Sequence, residues 1–112
     1  RFALRLWDRP DGAAELPEFA AVSDELQAFA ETLAQPYCGS TSGFETSSWF
    51  GAAAKQIRSQ ALIALRNGGG TFGMIALGSE DVQRFYAGMG TLYLERLGEM
   101  ASAALARVLR IA

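Results

Sequence analysis

The chain has 112 residues, 50% of them hydrophobic, with ten basic against twelve acidic side chains, one cysteine and no histidine. That is apolar material for one globular domain with its own core, and too short a chain for two. Without histidine, a Ser-His-Asp or Cys-His nucleophile system is excluded within the chain, and a zinc site would have one cysteine and carboxylates to draw on, so neither an enzyme nor a metal or cofactor is expected.

Charge is uneven: residues 1–54 carry three basic and eight acidic side chains, residues 55–112 seven basic and four acidic. Neither half forms the basic footprint, or the run of aromatics interleaved with basics, that a nucleic-acid backbone requires, so nucleic acid is not an expected partner. No apolar run approaches the roughly 20 residues that cross a bilayer, and no signal-peptide layout opens the chain. The expectation is no membrane and a cytoplasmic setting, with which the single Cys38 is compatible. Because "RFALRLW" already reads as a strand and opens on Arg1, the domain over 1–112 reads as the C-terminal part of a longer chain.

In that first stretch Phe2, Leu4 and Leu6 alternate with Ala3, Arg5 and Trp7, the period of a half-buried strand. "DRPDG" is a turn cluster and "ELPEFAAV" an irregular connection. From Ser23 to Gln35 the spacing of Leu26, Phe29, Ala30 and Leu33 predicts a helix, with Asp24 and Glu25 in its first turn and Pro36 beyond its end. "PYCGSTSGFETSSW", rich in small and hydroxyl residues, reads as a loop. "RSQALIALR" and "TFGMIALGS" flank "NGGG" and predict two adjacent, well-buried antiparallel strands. The glycines lead into a second strand and not into a helix, so they do not form a phosphate cradle.

"ALGSEDVQRFYAGMGT" then reads as a corner. Gly78 ends the strand, Ser79 and Asp81 accept from backbone N–H groups, Phe85 and Tyr86 tuck under the sheet, and Thr91 caps the long helix after it. Neighbouring Glu80 and Asp81 on such a turn read as charged surface, not as an acid/base pair. From Leu92 to Ile111 that helix carries Leu94, Leu97, Ala101, Ala104, Val108 and Ile111 at heptad spacing, beside a second apolar line through Met100 and Leu109. The fold class is α+β: an antiparallel sheet with helices gathered on a face.

"SQALIAL", the glycine turn and "FGMIALGSEDVQRFYAGMGTLYLERLGEMASAALAR" resemble the second half of a GAF-type sensory domain. More narrowly, the chain resembles a bacterial family of unknown function with a GAF-like fold, often encoded beside a tyrosine recombinase. Phe72, Gly73, "ALGS", Arg84, Phe85, "MGT" and the upstream "PYCG" carry the match, over Tyr37 to Arg107. The Asn-Lys-Phe-Asp-Glu signature of cyclic-nucleotide-binding relatives is missing, and so is the histidine of bilin binders. The resemblance implies a regulatory class and terminal helices that pair in a homodimer.

Two sets of candidate residues emerge. Tyr37, Cys38, Phe50, Arg58 and Ser59 would hold a small molecule between the sheet and the 37–50 loop, although a buried structural Cys38 and an ion-paired Arg58 explain those two residues as well. Leu94, Leu97, Ala101 and Val108 would contact a partner, because the last helix is wider in apolar residues than one sheet face needs, and Arg84, whose charge the corner does not need, would contact a partner or form a salt bridge. The alternative is a platform for dimerisation or another protein partner that holds no ligand.

Overall fold

The expected hairpin stands at the centre of the sheet. The computed structural model describes residues 2–7, 22–41, 45–67, 70–86 and 90–109. "DRPDG", nearly all of "ELPEFAAV", Gly43, Gly68, Gly69, Gly88 and Ile111, and the side chains of Val108 and Leu109, lie outside the described residues. Strand β1 is Phe2–Leu6, β2 Tyr37–Ser40, β3 Ser59–Asn67 and β4 Gly70–Ser79. They form one antiparallel sheet in the order β1-β4-β3-β2. Helix α1 is Asp24–Thr32, α2 is Leu92–Leu109, and a 3-10 segment runs from Glu45 to Gln56.

The central strands read as continuous apolar runs because both their faces are covered. On one face Leu6, Ile63, Leu65 and Ile75 pack with Leu94 and the partly buried Leu97, Ala101 and Leu105 of α2. On the other, Ala3, Leu62, Met74 and Ala76 pack with Leu26 and Ala30 of α1 and Phe50 of the 3-10 segment. The α+β class and the antiparallel sheet are as read, but helices gathered on one face are not: alternate residues of β3 and β4 are apolar in both directions, and each direction needs a cover. Leu65 pairs with Gly73 but Arg66 with Thr71, so Phe72 is an extra residue. That bulge places Phe72, 1% exposed, in the α2-side core, out of step with Met74 in the opposite core.

Helix α1 begins as expected, with the Ser23 hydroxyl accepting from the Leu26 N–H at 3.1 Å. It ends at Thr32 rather than Gln35, because Leu33 turns extended and points its N–H back to the Ala30 carbonyl at 3.2 Å. No basic residue occupies its last turn, and Arg66 of β3 supplies that charge from outside, Nη2 donating to the Ala30 carbonyl at 2.6 Å.

Residues 37–40 and 45–50 are not loop. Tyr37–Ser40 pairs with Ser59–Leu62, and the 3-10 segment takes up Glu45 onward, kinked at Gly51 with φ +58°. Gly39 and Ser40 have little strand propensity, and the ladder to β3 decides their conformation.

The corner forms as read: the Ser79 hydroxyl accepts from Asp81 N–H at 3.1 Å and the Asp81 carboxylate from Gln83 N–H at 2.8 Å. Three details differ. Tyr86 is 53% exposed, so only Phe85 turns inward. Gly78 lies within β4, where a Cβ would stand 2.8 Å from the Phe50 ring and 2.9 Å from Ile57. Thr91 precedes α2, but its hydroxyl donates to the Glu95 carboxylate at 2.9 Å while its carbonyl accepts from Glu95 N–H.

Candidate functional site

The structure distributes the five residues read as ligand-binding. Tyr37 and Phe50 lie on the α1 side, Tyr37 edge-on to Phe29 at 6.4 Å and Phe50 buried against the sheet. Cys38 and Ser59 belong to the α2 side. Ser59 is 1% exposed, its hydroxyl donating to the Asp81 carbonyl at 2.7 Å and accepting from Phe85 N–H at 3.3 Å, which makes it a strut for the corner. Arg58 is exposed. One small molecule between sheet and 3-10 segment therefore does not meet all five.

Burial pushes the Cys38 thiol above its ordinary pKa, while the charge of Arg84 acts the other way. Burial raises Tyr37 too, with the neighbouring Cys38 adding to it. Arg84 is exposed, and its guanidinium carbon sits 4.7 Å from the centre of its own neighbour's ring, Phe85.

Of the partner-contact residues, Leu94, Leu97 and Ala101 face the protein's own sheet. Ala104, next after Ala101 in the heptad reading, is exposed, so the inward line of α2 runs through Leu94, Gly98, Ala101 and Leu105 at helical period. Gly98 makes that docking close: a Cβ there would lie 2.5 Å from Ile63 Cγ2. The outward line carries Leu92, Tyr93 and Met100, exposed by 64%, 75% and 69%. A shallow depression on that side is lined by Leu92, Arg96 and Met100 together with Glu95 and Glu99.

A groove of about 210 Å3 opens beside β3. Strand β2 pairs only as far as Leu62, so among the described residues β3 from Ile63 to Arg66 has no strand on that side. Residues 33–36 form one wall, Ile63, Ala64 and Arg66 the floor, and Glu95, Gly98, Glu99 and Ser102 of α2 the other wall. Ser102, 7% exposed, accepts from the Arg66 backbone N–H at 3.0 Å. The Arg66 side chain is spent elsewhere, on the Ala30 and Glu31 carbonyls and the Thr71 hydroxyl. Sequence reasoning passed over Arg66, Glu95, Glu99 and Ser102. A polar Ser102 on the inward line of a helix was the one available signal.

It also passed over the buried pair Thr46 and Gln60, both 0% exposed, in which the Thr46 hydroxyl donates to Gln60 Oε1 at 2.7 Å. Among the described residues no three or more His, Cys, Asp or Glu side chains gather as a metal site, and no helix is long and apolar enough to cross a membrane.

With this geometry in place, comparison with known proteins adds a family and no activity. Residues 13–110 match the family described as "Protein of unknown function, DUF484", and the chain belongs to that family. No curated protein and no solved structure matches it.

Proposed function

We propose that this member of the DUF484 family is a non-enzymatic, GAF-like regulatory domain of the cytoplasm that works by assembly, pairing with a second copy through the outer face of α2. The supporting observation is the exposure of Leu92, Tyr93 and Met100 on the side of α2 turned away from the sheet, after the inward side has been filled by Leu94, Leu97, Ala101 and Leu105. Large apolar side chains left together in water favour association, and a two-fold pair sets this patch of one copy against the same patch of the other. Arg96 is exposed on the same side and lines the depression with Leu92 and Met100.

Sedimentation velocity of the protein at micromolar concentration tests this. A dimer is expected, reduced to monomer in the double variant Tyr93→Glu, Met100→Glu with the circular dichroism unchanged. A monomeric wild type defeats the reading.

A second reading, ligand-gated signalling, rests on the buried hydrogen bond that ties Thr46 of the kinked 3-10 segment to Gln60 of β3, a polar latch that a small polar molecule could compete for. Native mass spectrometry showing bound mass that is lost on denaturation would favour it over assembly alone.

A further inference from the structure

We propose that the groove beside β3 takes a short extended segment of a partner protein that carries a lysine or arginine, its backbone pairing with the open edge at Ala64 and its cation lying between Glu95 and Glu99. This goes beyond assembly through α2, because it uses the sheet edge and the groove side of the Glu95–Glu99 line, whereas the apolar patch rests on Leu92, Tyr93 and Met100.

The edge supplies the first half of the recognition. The Arg66 backbone N–H points into the groove, where it meets Ser102 Oγ. Strand residues alternate in the direction of their backbone groups, and the bulge adds its extra residue to β4, not to β3. Ala64, two residues before Arg66, therefore presents its N–H and C=O on the same side, beyond the point where β2 stops at Leu62. A strand edge left open in this way is a template for another extended chain.

The wall supplies the second half. Glu95 and Glu99 stand one helical turn apart on α2, and both line the groove. Among the described residues Arg66 is the cation that lines the groove, and its guanidinium is turned to the carbonyls at the end of α1; Arg96 shares with Glu95 and Glu99 the depression on the outer face of α2, away from the groove. Leu33 and Pro36 opposite offer apolar contact for the stem of a long basic side chain. At about 210 Å3 the groove is smaller than the roughly 300–1,000 Å3 of pockets that enclose whole small molecules, and it suits one side chain of a segment laid along the edge.

The test is titration of the 15N-labelled protein with the blocked tripeptides acetyl-Val-Arg-Val-amide and acetyl-Val-Glu-Val-amide, and with argininamide. The expected result is saturable shifts of the Ala64, Gly98 and Ser102 amides with the arginine peptide, none with the glutamate peptide, and a Kd about tenfold weaker in Glu99→Gln or Glu95→Gln. Both variants keep a side chain of the same shape, and amide spectra away from the groove verify their fold. Absence of saturable shifts at millimolar peptide overturns the proposal, as does equal binding of the two peptides or unchanged affinity in the double variant Glu95→Gln, Glu99→Gln. Argininamide binding as tightly as the arginine peptide overturns the edge pairing. Sedimentation of the same samples keeps the two readings apart, since the α2 pair can persist or fail independently of peptide binding.

Discussion

The two faces of the sheet are covered by different means. One carries a single continuous helix, α2, of 18 residues, docked closely enough that Gly98 has no room for a methyl group over Ile63. The other carries, among the described residues, two short pieces, the nine residues of α1 and the kinked 3-10 segment. Polar contacts fasten those pieces: Arg66 at the end of α1, Thr46 on Gln60, and the Arg5 guanidinium 5.1 Å from the Trp49 ring centre. A long helix satisfies its own backbone and needs only shape to dock; short elements leave a larger share of their ends unsatisfied and bury less apolar area apiece, so side chains must tie them down.

That contrast can be broken experimentally. The largest effect is expected from Phe72→Ala on the α2 side, where the bulge commits a 1%-exposed ring to the core. A loss of about 3–5 kcal/mol in denaturant unfolding is expected. A cost near that of an exposed residue would mean that the bulge is not where this face is held.

A paired substitution compares the two covers like for like. Gly98→Ala meets Ile63 at 2.5 Å and Gly78→Ala meets Phe50 at 2.8 Å, so each overpacks one face and should cost about 1–3 kcal/mol. In hydrogen exchange, Gly98→Ala should loosen α2 and leave the 3-10 segment protected, with the reverse pattern for Gly78→Ala. Equal loosening of both covers by either variant would show that they do not act as separate layers.

The smallest effect concerns Cys38, on the α2 side of β2. Its raised pKa means that the folded state holds the thiol proton more tightly than the unfolded chain does. The corresponding stability is present below the ordinary thiol range and is lost as pH rises through the folded value. Alkylation by iodoacetamide at pH 8 should be much slower in the native protein than in urea. Equal rates would place the thiol in water and remove it from the core.

Much of the site was not legible for a reason visible in particular residues. The periodicity of Leu94, Leu97 and Ala101 announces a helix with an apolar line, but the same spacing serves a sheet or a second copy, and only the approach of Ile63 to Gly98 assigns it to the sheet. Tyr37, Cys38, Phe50, Arg58 and Ser59 are near one another along the chain or across one ladder, yet strand alternation sends Tyr37 and Cys38 to opposite faces. Had "YCGS" been read as a strand, that split would have been predictable.

What the amino-acid order determined by itself is local: the cap of α1 at Ser23, the hairpin around the glycines, the turn built on Ser79 and Asp81, and the start of α2 at Leu92, each set by contacts within a few residues. What tertiary structure alone decided is which surfaces are left over. Among the described residues the short β2 leaves the edge of β3 open, Arg66 is drawn to the end of α1, and Leu92, Tyr93 and Met100 face outward because the sheet takes the other side of their helix. Burial is a property of the whole packing, and a residue's neighbours in sequence do not specify which of its faces that packing will cover.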